Sequence, residues 1–142
     1  MSLQQEIVQH SENVWVLCLD KSCESGVIPP VPGIIDWYHN HLITKSLLDK
    51  KISLEFGDRT LIAGSGLLPC QLLVVFGIGE RGQLTAAKAR KTLQDIGHVL
   101  TELKEPAAWI VVSKEAPSQF TDELKKSRSS VDSLELTTIT AG

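Results

Sequence analysis

Residues 72–104 read LLVVFGIGERGQLTAAKARKTLQDIGHVLTELK, and this stretch decides the fold class. The uninterrupted apolar run at 72–76 is typical of a strand that is covered on both faces. From Ala86 onward, apolar residues recur every three or four positions, which predicts a helix with one buried stripe. Thr85 is suited to cap the start of that helix. Pro106 predicts its end, because the residue before a proline is displaced from helical geometry.

A second apolar run, at 109–112, follows the helix and completes a strand-helix-strand unit of the kind that joins parallel strands. The other predicted elements are a weak strand at 3–9, a strong strand at 14–19, a loop at 23–33, a helix at 34–50, a hairpin of strands at 52–56 and 59–63, a short helix at 119–128, a serine-rich stretch at 127–133 and a last strand at 134–139. A hairpin and a crossover in one chain predict a single α/β domain, residues 1–142, with a mixed β-sheet flanked by helices. We place 72–76 at the centre of that sheet, beside 109–112 or the hairpin.

Composition narrows the classes of function. A chain of 142 residues suits one domain, and its net charge of −3 gives no general attraction to nucleic acid or to anionic lipid. Cys18, Cys23 and Cys70 are odd in number and lack the spacing of a zinc site, which favours reduced thiols. The sequence shows no signal-peptide pattern and no apolar run long enough to cross a bilayer. We therefore expect a cytoplasmic protein that does not bind membranes.

Three glycines after the strand predicted at 72–76 match a dinucleotide-binding pattern, Gly77-x-Gly79-x-x-Gly82. In that motif the helix opens within the glycines, whereas the helix predicted here begins after them. No acidic residue stands about 20 positions further on at a strand end to hold a ribose. We therefore interpret the glycines as a tight connection between strand and helix.

Cations gather at the start of the predicted helix, where Lys88, Arg90 and Lys91 occur with no acidic residue among them. Positive charge there opposes the helix dipole, so together with Arg81 it would favour a phosphate or a carboxylate. The alternative interpretation is that these cations only form a solvent-exposed basic face of the helix and bind no anion. The candidate anion-binding loop comprises Gly77, Gly79, Arg81, Gly82, Thr85, Lys88 and Arg90.

Catalytic constellations are missing from the sequence. His39 and His41 are two positions apart, which places them on different sides of a helix, so we interpret both as structural. His10 and His98 have no obvious partner, and the aspartates are dispersed. We therefore predict no catalytic residue, no metal site and no cofactor.

Two short motifs carry a resemblance to a known family. The segment VVFGIG at 74–79, followed by LTAAK at 84–88, resembles the N-terminal domain of the leucyl aminopeptidases. The resemblance covers about residues 14–114 and implies a fold akin to the macro domain. It also implies a part in assembling an oligomer, and it implies that the glycine loop is not a nicotinamide site.

The departure from that family concerns catalysis. The aminopeptidases hold two metal ions in a C-terminal domain through motifs similar to Asn-Thr-Asp-Ala-Glu-Gly-Arg, and this chain has no such motif. The missing motif is expected both of a free-standing relative of the N-terminal domain and of a piece of a longer peptidase. We predict a non-catalytic domain for oligomerisation, partner binding or regulation, whose partner is a second copy or an aminopeptidase catalytic domain. The alternative is a macro-domain-like binder or hydrolase of ADP-ribose or another phosphorylated nucleotide.

Overall fold

The computed structural model describes residues 3–113, 115–127 and 135–141. Its five strands are β1 (Val14–Leu19), β2 (Arg59–Ala63), β3 (Leu72–Gly77), β4 (Ala107–Ser113) and β5 (Glu135–Ala141). They form one sheet in the order β2-β3-β1-β4-β5. The β2 strand runs antiparallel to β3, and the other neighbouring pairs are parallel. The prediction of an α/β fold with a mixed sheet is therefore confirmed.

Helices cover both faces of this sheet. They are α1 (Leu3–Val8), α2 (Pro30–Tyr38), α3 (Leu42–Leu48), α4 (Ala86–Leu103) and α5 (Ser118–Ser127), with 3₁₀ turns at Lys21–Ser25 and Arg81–Gln83. Residues Trp15, Leu17 and Leu19 of β1 share a core with α1, α2 and α3. The alternate residues Val14, Val16 and Cys18 share the opposite core with α4 and α5. Successive side chains of a strand point to opposite faces of the sheet, so each face packs against its own helices. The domain therefore has three layers. No helix within the described ranges is both long and apolar enough to cross a membrane.

The centre of the sheet is β1, not β3 as the sequence predicted. The β3 strand lies between β2 and β1, so it is flanked by the strand that begins at Arg59 but not by β4. All six residues of β1 are buried, and five of the six residues of β3 are buried too. An apolar run therefore indicates burial on both faces, but it does not indicate position within the sheet.

The predicted hairpin is wrong, because residues 52–56 form no strand and β2 pairs with β3 instead. The segment instead crosses the end of β3. The amide of Gly79 donates to the carbonyl of Leu54 at 2.9 Å. A Cβ added to Gly77 would lie 2.5 Å from the Glu55 carbonyl oxygen. The missing side chain at Gly77 therefore lets this segment lie on the strand, where it buries Leu54.

The helix predicted at 34–50 is two helices. Asn40 and His41 have positive φ angles of 56° and 57°, which end α2 and reverse the chain. The buried carboxylate of Asp36 accepts hydrogen bonds from the amide of Ile43 at 2.7 Å and from Thr44 Oγ1 at 2.5 Å. Asp36 therefore caps the start of α3, although Asp36 itself lies in α2. The helix also begins at Pro30, inside the predicted loop, since proline is tolerated in a first turn.

The N-terminal segment forms α1, so the weak strand predicted at 3–9 is wrong. Ile7 of this helix packs into the core beside Trp15 and Trp109. The short predicted helix corresponds to α5 and the last predicted strand to β5. The serine-rich stretch lies almost wholly outside the described residues. Thr85 caps α4 as predicted, since its side chain accepts from the amide of Lys88.

Candidate functional site

The carboxyl ends of β1, β3 and β4 meet at one edge of the sheet, because these strands are parallel. The chain that leaves β1 passes to the face covered by α2, whereas the chains that leave β3 and β4 pass to the face covered by α4 and α5. Open α/β sheets tend to bind ligands in the crevice where neighbouring strands diverge in this way. The loops at this edge are therefore the place where a ligand site is expected.

A cavity of about 350 Å³ lies between the loops that follow β1 and β4, and we call it the β1–β4 crevice. One wall is apolar and runs from Val27 to Pro30. The complete lining is Ser22, Cys23, Val27, Ile28, Pro29, Pro30, Arg81, Ser113 and Glu115. A second cavity of about 530 Å³ shares Ser22 and Arg81 with it. The Arg81 side chain therefore stands where the two cavities meet.

The guanidinium of Arg81 is held by the loops at the ends of β1 and β4. Its Nε donates to Asp20 Oδ2 at 3.0 Å, and its Nη2 donates to Ser22 Oγ at 3.0 Å. Its Nη1 lies 2.9 Å from Glu115 Oε2. The hydrogen bond to Asp20, together with the charges of Asp20 and Glu115, raises the pKa of Arg81 above its ordinary value. The guanidinium therefore carries a fixed positive charge at the carboxyl edge of the sheet.

Asp20 is the anchor of this arrangement. Its side chain is only 4% exposed and follows directly after β1. One oxygen accepts from the backbone amide of Ser22 at 2.8 Å and also from the Ser22 hydroxyl, while the other accepts from Arg81. A carboxylate with these partners orients a guanidinium and has little capacity left for a ligand. Asp20 was not predicted as a site residue, although its place at the end of a buried strand is a signal in the sequence.

Two glycines of the predicted anion loop, Gly77 and Gly79, use their amides within the fold. Gly77 donates to the carbonyl of Asp58 at 2.8 Å, and Gly79 donates to that of Leu54 at 2.9 Å. The amide of Ile78 between them donates to Leu19 at 3.0 Å. A phosphate cradle needs amides that point at the ligand. These three point into the protein, in keeping with the interpretation of the glycines as a tight connection.

The cations of that loop lie in different surroundings. Lys88 Nζ stands 5.2 Å from the centre of the Phe56 ring, and Arg90 Nη1 pairs with Glu123 at 3.0 Å. Lys91 pairs with Asp95 along the same helix at 3.1 Å. Of the residues proposed from the sequence, Arg81 lines both cavities and Gly82 lines the cavity of about 530 Å³. Whether the loop binds an anion stays a prediction.

Burial keeps the three thiols protonated at neutral pH. Cys18, Cys23 and Cys70 are free and buried. Burial raises the pKa of Cys23, which lines the crevice, to about 11, and it raises that of Cys18 to about 12. A thiol with such a pKa is protonated at neutral pH, and the thiolate is the reactive form. Cys23 therefore contributes shape to the crevice.

Two of the histidines, His39 and His10, have partners within the fold. His39 is buried and its Nδ1 donates to the carbonyl of Ile35 at 2.8 Å. His10 stacks on Trp109 with ring centres 3.7 Å apart, a contact that sequence reasoning missed because it is tertiary. Within the described ranges, no three histidine, cysteine or acidic side chains cluster as metal ligands.

Comparison with known proteins bears on the fold. No protein-family model matches this sequence, and no curated protein matches it either. Among solved structures, the macrodomain of Mycobacterium tuberculosis DarG is similar with a TM-score of 0.64 and 10% identity, over 96% of this chain and 93% of that one. A mutant macrodomain of Oceanobacillus iheyensis is similar with a TM-score of 0.63 and 11% identity, over 96% of this chain and 80% of that one.

A mutant of tomato leucine aminopeptidase is similar as well, with a TM-score of 0.70 and 11% identity. The similarity spans 95% of this chain but only 31% of the aminopeptidase. At such identities the likeness shows the fold alone, and that fold is macrodomain-like. The similarity to one part of an aminopeptidase is consistent with the resemblance seen in the sequence, without deciding between the two families.

Proposed function

We propose that this chain is a binding module for ADP-ribose or another phosphorylated nucleotide, and that the ligand lies in the β1–β4 crevice with a phosphate on Arg81. The observation that carries the proposal is a guanidinium, 37% exposed, held at the carboxyl edge of the sheet beside an apolar wall. The macrodomain-like fold supports the same class of ligand. From the sequence, binding or hydrolysis of such a nucleotide is the alternative to a non-catalytic assembly domain.

The shape and chemistry of the crevice suit such a ligand. Its volume of about 350 Å³ falls within the usual range for small-molecule sites, roughly 300–1,000 Å³. The wall from Val27 to Pro30 offers apolar surface to a base or a sugar ring. An arginine presents its donors in a planar fork that matches phosphate oxygens. Because Asp20 already fixes Nε, the fork loses little freedom when a phosphate binds.

The proposed role is binding without chemistry. The thiol that lines the crevice, Cys23, is kept protonated by its raised pKa. The charged residues of the crevice, Arg81 and Glu115, are paired with one another. We therefore expect ADP-ribose to be recovered intact after incubation with the protein.

Ligand binding is testable by thermal melting. We expect ADP-ribose at about 100 times its dissociation constant to stabilise the fold by roughly 2.7 kcal/mol, because it binds only the native state. Arg81→Ala is expected to abolish that gain, since it removes the phosphate contact. Lys91→Ala removes one positive charge from α4 outside the crevice and should keep the gain. No melting shift at millimolar ADP-ribose would contradict the proposal.

A second candidate function, assembly through self-association, is favoured by the outer edge of β2. The register with β3 turns the backbone groups of alternate residues toward β3, as the bond from Gly64 to Gln71 shows. The backbone groups of Arg59, Leu61 and Ala63 therefore face outward, where the described residues supply no strand. Such an edge can pair with a strand of another chain. Leu61 is 49% exposed on this strand.

If this second candidate holds, the chain sediments as a dimer, and Leu61→Lys converts it to a folded monomer that still melts cooperatively, at a temperature no higher than that of the wild type. A lysine on an edge strand opposes pairing with a second edge. Lys91→Ala serves again as the surface control. A wild-type chain that sediments as a monomer at high micromolar concentration would exclude self-association through β2. A dimer that shows no ADP-ribose shift would place assembly ahead of nucleotide binding.

A further inference from the structure

Glu115 occupies the solvent side of Arg81. Its Oε2 lies 2.9 Å from Arg81 Nη1, and its side chain is 70% exposed. The turn after β4 fixes this position, because the amide of Glu115 donates to Ser113 Oγ and the amide of Ala116 donates to the Ser113 carbonyl, both at 3.1 Å. The fold therefore delivers a carboxylate to the mouth of the crevice.

The partners of the Arg81 guanidinium differ in how deeply they are buried and how firmly they are held. Nε donates to Asp20, which is buried and held by further hydrogen bonds, and Nη2 donates to Ser22, which Asp20 also holds. The partner at Nη1 is an exposed carboxylate that water can solvate as soon as it leaves. An ion pair of that kind contributes little to stability. A ligand phosphate that reaches Arg81 therefore displaces Glu115 before either of the other partners.

We propose that Glu115 is an internal competitor for the phosphate position on Arg81 and thereby determines which phosphates the crevice accepts. The inference rests on the proposed function. Once displaced, the Glu115 carboxylate stays close to the bound phosphate, because its backbone is fixed by Ser113. Repulsion between like charges grows with the charge on the phosphate group that faces the carboxylate. Glu115 should therefore disfavour a terminal phosphate, which carries nearly two negative charges, more than a phosphate that is esterified on both sides and carries one.

The test compares ADP-ribose with AMP by calorimetric titration of the wild-type protein and of Glu115→Gln. The glutamine keeps the shape of the side chain and removes its charge. We expect the variant to bind ADP-ribose about fivefold more tightly, and AMP to gain at least twice that factor. Both gains should shrink in high salt, which screens exposed charges. Glu102→Gln removes the same charge from an exposed position on α4 and should change neither affinity.

The outcomes separate this inference from the proposed function. A wild-type protein that binds neither ligand would overturn both. A wild-type protein that binds ADP-ribose, with affinities unchanged or weakened in Glu115→Gln, would overturn the competitor role and leave the nucleotide site standing. Equal gains for ADP-ribose and AMP would overturn the selectivity. Glu115→Ala is a second variant, and a melting curve like that of the wild type shows for each that the fold is retained.

Discussion

Replacing Val75 with Asp is expected to leave no folded protein. Val75 lies in β3, is 0% exposed, and faces the core that β1 shares with α1, α2 and α3. A carboxyl group there would have apolar neighbours and no partner for its charge. Burying it costs more than the margin of about 5–15 kcal/mol by which a domain is stable. Circular dichroism and limited proteolysis should report an unfolded chain.

Two controls make this test specific. Val27→Asp introduces the same carboxylate at a side chain that is 75% exposed, and we expect a change in unfolding free energy within about 0.5 kcal/mol. Val75→Thr keeps the shape of the buried side chain and adds one hydroxyl, so it should fold with a loss of about 1–3 kcal/mol. A soluble Val75→Asp protein with a cooperative melt would show that β3 is not part of the core.

The fold class could be predicted from the sequence because it depends on local periodicity. The continuous apolar run of β3 and the three-to-four spacing of α4 each indicate one element, and Thr85 marks the boundary between them. The order of the strands in the sheet does not depend on local periodicity. The chain crosses from β3 over β1 to reach β4, and nothing in the apolar character of these strands records which neighbour each selects.

The wrong boundaries share a physical cause, which is tertiary contact. The break between α2 and α3 depends on positive φ angles at Asn40 and His41 and on a carboxylate, Asp36, that caps the second helix from within the first. The irregular segment that replaces the predicted hairpin lies on Gly77. Propensity along the chain contains neither contact, so it predicts one continuous helix at the first place and a strand at the second.

The candidate site was predictable only in part. The sequence predicts Arg81 as an anion ligand because it adds to the positive charge at the start of α4, and it does line the crevice. Its partner Asp20 is 61 positions away along the chain, and Glu115 follows a third strand. Only the parallel arrangement of three strands brings these residues together. The sequence therefore indicated a cation at the site but not the carboxylates that pair with it.

Adding a single methyl group at Gly77, through Gly77→Ala, is expected to have a large effect on stability. A Cβ there would lie 2.5 Å from the Glu55 carbonyl oxygen and 2.6 Å from Leu54 Cα, and both are backbone atoms that cannot rotate away. Overpacking of a core usually costs about 1–3 kcal/mol, and a clash with backbone belongs at or above the top of that range. We expect a loss of about 3 kcal/mol or more in the free energy of unfolding by urea titration.

Gly82→Ala is the matched control, because a Cβ added at Gly82 meets no atom within 4 Å. It should stay within about 0.5 kcal/mol of the wild type. The two variants also separate packing from ligand contact. Displacing Leu54 would break its 2.9 Å hydrogen bond with Gly79, which holds the loop that leads to Arg81. A Gly77→Ala protein that still folds should therefore bind ADP-ribose more weakly than Gly82→Ala does. Equal stability of the two variants would show that the Leu54 segment does not rest on β3 in solution.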